Sequence, residues 1–171
     1  MTTPGQTIGP FFGFALPYDS GPHLVAPGRT DAVRLHGRVL DGSGEPVPDA
    51  LLELWQADLE GNVVAEGGSL HRDGWTFTGW GRAATDLTGG YSFTTARPGS
   101  PFFALTVFAR GLTDRLFTRV YLPEHADDPF LQTVDADRRA TLVATADAHG
   151  YAFDVRLQGD AETVFLAYPR D

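Results

Sequence analysis

Turn residues divide this chain into short pieces. Its 20 glycines and 12 prolines, 32 of 171 residues, exceed the roughly 12% of an average protein. They fall between runs dense in Val, Leu, Phe, Thr and Tyr, the residues that fit a pleated, half-buried surface. Eight such runs stand out as strands, at 33–40, 50–56, 91–95, 103–109, 115–121, 141–145, 151–158 and 163–168. Tyr151, Phe153, Val155 and Leu157 alternate with Asp154, Arg156 and Gln158, the period-2 pattern of a strand with one buried face. Asp41-Gly42, Glu60-Gly61-Asn62, Gly89-Gly90, Arg97-Pro98-Gly99 and His149-Gly150 supply the turn chemistry between runs. About eight short strands with such turns predict an all-β fold, a β-sandwich.

Three segments fit no strand. Residues 1–30 are Gly/Pro-rich and carry Phe11, Phe12, Phe14 and Tyr18, an extended arm seeking a surface to cover. Residues 64–81 hold Trp75, Phe77 and Trp80 among glycines and read as a long packed loop. Residues 123–139 are acidic and read as a solvated excursion with a short helical turn. The length suits one domain over 1–171.

Composition removes whole classes of chemistry. All 13 basic residues are arginine, against 22 acidic ones, for a net charge of −9. Without lysine there is no Schiff-base chemistry and no Walker-type phosphate loop. Without a basic patch, nucleic acid is an unsuitable partner. Zero cysteines exclude thiolate zinc sites, disulfides and cysteine nucleophiles. The N-terminal residues have neither the charge nor the apolar run of a secretory signal, and no stretch has the ~18 apolar residues of a membrane span. A cytoplasmic protein with no membrane partner is expected.

The side chains that could do chemistry are sparse. His23, His36, His71, His125 and His149 are never closer than thirteen positions, so no H-x-H or H-E-x-x-H pair puts two imidazoles on one element. None of the serines lies in a G-x-S-x-G elbow, and Ser43 sits in the turn DGSGEP. Arginines are more informative. Arg110 closes the apolar run 103–109, and Arg119 interrupts the next one. An arginine at a strand end can hold a carboxylate through two parallel hydrogen bonds. It can equally serve an intramolecular ion pair, and Glu53 is a candidate partner for one of the two.

The motif set carries further than the single residues. Gln6-Thr7-Ile8-Gly9-Pro10-Phe11-Phe12, the block Gly37 to Ala50, Glu53-Leu54-Trp55-Gln56-Ala57-Asp58, Gly89-Gly90-Tyr91-Ser92-Phe93, Val107-Phe108-Ala109-Arg110-Gly111 and Leu116 to Tyr121 together resemble the intradiol ring-cleaving dioxygenases, almost end to end. The iron-bearing members hold non-haem Fe(III) with two tyrosines and two histidines. The positions that match the histidine pair are Phe102 and Ala104, the loop 98–101 has no tyrosine, and the remaining tyrosine position falls near Val63-Val64. The resemblance therefore implies a non-iron-binding alpha subunit. Its Fe(III) would be bound by a partner beta subunit in a hetero-oligomer of alpha-beta pairs, acting with O2 on 3,4-dihydroxybenzoate.

By the same resemblance the substrate-contacting positions are Thr7, Gly9, Pro10 and Arg110, with no catalytic or metal-binding residue in this chain. Gly9 and Pro10 would bring backbone close to the ligand, Thr7 would offer a hydroxyl, and Arg110 would meet an anionic aromatic acid. A freestanding transthyretin-like binding module and a homomeric ring-cleaving enzyme are the competing readings.

Overall fold

The computed structural model describes residues 7, 9, 12–64, 66, 72–73 and 75–168. Two sheets face each other. The first has strand order β4-β1-β8-β7, built from β1 (Ala32–Leu40), β4 (Gly90–Ala96), β7 (Thr145–Asp147) and β8 (Gly150–Ala152), with β9 (Val155–Arg156) also pairing β1. The second is antiparallel throughout, in the order β3-β2-β5-β6: β2 (Leu51–Trp55), β3 (Trp80–Ala84), β5 (Phe102–Phe108) and β6 (Leu116–Tyr121). The all-β sandwich expected from the sequence is the fold observed.

Alternation explains which side chains meet. Leu52 and Leu54 on β2 and Phe103, Leu105 and Val107 on β5 turn inward and are essentially inaccessible. They pack against Leu35 and Val39 of β1 and Tyr91 and Phe93 of β4. The opposite face of β5, bearing Phe102, Ala104, Thr106 and Phe108, turns away from the core, as strand geometry requires.

Several expectations need correction. Trp80–Ala84 is a strand, not the end of a loop, paired with β2 through Glu53 opposite Arg82. The run 151–158 is two strands, because the chain breaks at Phe153-Asp154. Gly37 of β1 faces that break so closely that a Cβ there would lie 1.8 Å from the Phe153 carbonyl oxygen. The side-chain alternation survives the break, with Tyr151, Phe153 and Val155 buried. Residues 141–145 form part of a 3-10 turn (Arg139–Leu142) followed by a single bridge to Tyr121, and 163–168 contributes one bridge, Leu166 to Phe117.

The acidic excursion is more than solvated surface. Its Leu131 and the following Leu142 bury against Tyr121 as a second small core. The arm also belongs partly to the sandwich. After a short helix α1 (Phe12–Ala15), the Leu24 N–H donates to Thr94 O at 2.8 Å and the Arg82 N–H donates to Gly21 O at 3.0 Å. Residues 21–25 thus cover the edge of β4 and the edge of β3, which would otherwise present unpaired backbone.

Candidate functional site

β5 carries a candidate position at each end. At its C-terminal end the strand runs through buried Ala109 to Arg110 and Gly111. Extending the β2–β5 register, in which Leu51 faces Phe108, places Asp49 opposite Arg110. The two form an ion pair, Arg110 Nη2 to Asp49 Oδ2 at 2.7 Å, with side-chain exposures of 60% and 14%. Gly111 adopts φ +91°, a turn that favours glycine. Its N–H donates to Thr7 Oγ1 at 2.8 Å.

The arm is held at this end by a second contact, the Phe12 ring lying 5.5 Å from that of Phe108. Gly9 is exposed, its carbonyl accepts the Phe12 N–H at 3.2 Å, and the space where its side chain would be is open. Thr7, Gly9 and Arg110 are therefore gathered at one end of the sheet although a hundred residues separate them. Pro10 lies outside the described residues.

At the N-terminal end of β5, on its outward face, lies a pocket of about 250 Å³ lined by Trp55, Val63, Val64, Ser100, Phe102 and Ala104 together with Gln56. Phe102, Ala104, the loop residue Ser100 and the Val63-Val64 pair fall where the family resemblance places iron ligands, brought together from separate parts of the chain. Their donor chemistry does not fit iron. Valine, phenylalanine and alanine offer no lone pair. Ser100 Oγ donates to Phe102 O at 2.9 Å. The Gln56 amide donates to Ala96 O at 2.9 Å and accepts from Thr95 Oγ1 at 2.6 Å.

Phenolate is the other ligand type at issue, and the interior tyrosines hold their protons. Burial pushes the phenols of Tyr18, Tyr91, Tyr121 and Tyr151 up, although Arg119 beside Tyr121 and Arg72 beside Tyr18 pull in the opposite direction. Among the described residues no three His, Cys, Asp or Glu side chains converge to hold a metal ion.

The remaining charges are structural. Glu53 pairs with Arg82, not with Arg110 or Arg119. Arg82 reaches Glu53 Oε1 with Nη2 at 2.6 Å and Nε at 3.1 Å, and donates to Leu16 O with Nη1 at 3.0 Å. Arg119 lies between the rings of Phe102 and Phe130, 4.2 and 4.6 Å from their centroids, and donates to the Tyr121 hydroxyl. Arg72, which the sequence does not single out, fastens the loop before β3 to the arm through Tyr18, Gly21 O and Trp80 O. Asp49 is the other residue missed. The signal for it was present, since pairing the runs 50–56 and 103–109 antiparallel sets it across from Arg110.

The two-sheet sandwich, with its pocket at one end of β5 and the arm at the other, is a fold shared with solved dioxygenases. A family model described as Dioxygenase matches residues 8–104, more than half of the sequence, and the chain belongs to this dioxygenase family. Within it, the chain is 40% identical to the protocatechuate 3,4-dioxygenase alpha chain of Burkholderia cepacia, over 96% of each chain. It is 35% identical to the protocatechuate 3,4-dioxygenase beta chain of the same organism, over 72% of this chain and 63% of that one. The dioxygenase domain of a dioxygenase carbohydrate-binding protein fusion from Streptomyces sp. SirexAA-E shares the fold, with a TM-score of 0.56 at 24% identity over 81% of this chain and 87% of that one.

Proposed function

We propose that this chain is the alpha, non-iron-binding subunit of a hetero-oligomeric protocatechuate 3,4-dioxygenase, one domain whose residues 1–30 are an arm. The assembly cleaves 3,4-dihydroxybenzoate with O2 to 3-carboxy-cis,cis-muconate in aromatic catabolism, and the partner beta subunit holds the Fe(III) that supplies the redox chemistry. One observation carries this reading. Arg110 stands six residues along β5 from Ala104, roughly 20 Å at the rise of an extended strand. Thr7, Gly9 and Arg110 thus lie at the opposite end of β5 from this chain's own apolar pocket, which supports a role in completing a neighbour's.

In that role the chain binds and orients. Arg110 is a permanent cation whose planar fork matches a benzoate carboxylate. The arm supplies a hydroxyl and close backbone, and the two subunits together exclude water from the reacting ring. Among the described residues no helix is long and apolar enough to cross a membrane, and the proposed compartment is the cytoplasm.

Iron content and O2 uptake with protocatechuate, measured on the chain alone and co-purified with its beta subunit, test the reading. Negligible iron and turnover for the lone chain, with both present in the complex, are expected. Stoichiometric iron and activity in the lone chain would refute it. A stable monomer that captures no beta subunit would favour the freestanding module.

A further inference from the structure

The pairing of Arg110 with Asp49 is lopsided. The carboxylate is sunk into the protein and the guanidinium stands in solvent, 14% against 60% exposed. Asp49 Oδ1 is buried and has no hydrogen-bond partner among the described residues. The arm lies over the site, with the Cβ position of Gly13 3.7 Å from Asp49 O. A buried carboxylate needs a cationic partner to offset its desolvation, so Arg110 is drawn to a fixed place. Nη2 is the atom that meets Asp49 Oδ2, and the arginine side chain is 60% exposed. A guanidinium has five N–H donors in a rigid fork, more than one carboxylate oxygen uses, so donors remain on its solvent side.

We propose that Asp49 is the positioning residue for Arg110, holding the guanidinium through Nη2 so that its solvent-facing donors meet the carboxylate of the aromatic substrate. The proposal rests on the reading that Arg110 meets that substrate. An untethered arginine at this exposed strand end would sample many rotamers, and fixing it beforehand lowers what binding must spend on ordering. The tether also lowers the net local charge, so Asp49 trades long-range attraction for orientation.

A double-mutant cycle in the assembled alpha-beta enzyme tests this, with D49N, R110A and the double variant compared by KM and kcat for protocatechuate. A positioning role predicts that D49N raises KM about fivefold with kcat nearly unchanged, the signature of lost substrate binding, and has no further effect once Arg110 is alanine. R110K is the companion variant, at a solvent-facing site that tolerates it. Its ammonium can still pair with Asp49 but lacks the planar fork, so its KM is expected to rise as in D49N. An equal D49N effect in both backgrounds would make Asp49 merely structural and overturn the proposal. A lowered KM in D49N would overturn it too, by showing that Asp49 competes with substrate. A wild-type KM for R110K would mean that the fork is not used. If R110A itself leaves KM unchanged, the placement of Arg110 at the substrate fails first, and the inference falls with it.

Discussion

Glu53 and Arg82 show how a charge can sit on the sandwich without chemistry. They face each other across β2 and β3, with side chains 16–17% exposed. The guanidinium also stacks 5.1 Å from the Trp80 ring and caps the carbonyl of Leu16. Breaking a largely buried pair from one side leaves the other charge uncompensated. Glu53→Ala is therefore expected to cost about 3 kcal/mol in urea unfolding. Removing both charges with Glu53→Gln and Arg82→Met should recover much of that loss, because the partners are coupled. A loss below about 0.5 kcal/mol for the single change, the range of an ordinary surface substitution, would place the pair effectively in solvent. The contrast with Asp49 and Arg110 is one of exposure: there only the acid is buried, and the cation remains available to a ligand.

Among the elements, the break between β8 and β9 depends on one glycine. β1 accepts β8 beside Arg34–His36 and β9 beside Val39–Leu40, and the intervening Phe153-Asp154 crosses directly over Gly37. The Phe153 N–H donates to His36 O and the Arg38 N–H to Asp154 Oδ1, both at 2.8 Å. Any side chain at 37 would displace this crossing, since the obstacle is backbone. Gly37→Ala is expected to destabilise the fold by about 4 kcal/mol, at the far end of single substitutions, or to yield insoluble protein. A melting temperature within a few degrees of wild type would show that the crossing can shift.

That glycine also marks where the sequence stops being legible. β1, β2, β4, β5 and β6 were readable because each is a continuous apolar or alternating run bounded by turn residues. The split of 151–158 was not, since the alternation runs through the break and the interruption comes from a glycine more than a hundred residues earlier. β3 reads Trp-Gly-Arg-Ala-Ala, with small residues and a glycine, so it has neither β propensity nor a clear period and owes its strand conformation to β2. The run 163–168 has the right composition but, among the described residues, forms a β-bridge only at Leu166, its other backbone contacts being isolated hydrogen bonds such as Thr163 N–H to Arg156 O. The site was legible as residue identities, not as geometry. Motif resemblance pointed to Thr7, Gly9 and Arg110, whereas the carboxylate that holds Arg110 follows from strand register.

For the molecule as a whole, the two ends of β5 divide the labour. One end keeps a pocket that has exchanged ligands for apolar side chains and is bordered by exposed Trp55 and Val63. The other carries the Arg110 cation and the arm, which we propose meet a site on another chain. A net charge of −9 repels an anionic substrate at long range, so recognition falls to local donors, and the arm's contribution separates cleanly from its folding role. Deleting residues 1–10 removes Thr7 and Gly9 but leaves Phe12 on Phe108, Tyr18 stacked on Trp80 and residues 21–25 hydrogen-bonded to both sheets. Among the described contacts, the loss to stability is chiefly the hydrogen bond from Gly111 to Thr7, worth about 1 kcal/mol. In a chain of this length that corresponds to a melting shift of about 3 °C. The assembled enzyme is expected to lose at least about tenfold in kcat/KM with its iron retained, because the proposed role puts Thr7 and Gly9 at the bound substrate. Unchanged turnover would remove the arm from the neighbour's pocket. A melting temperature lowered by more than about 10 °C would instead make residues 1–10 part of the fold.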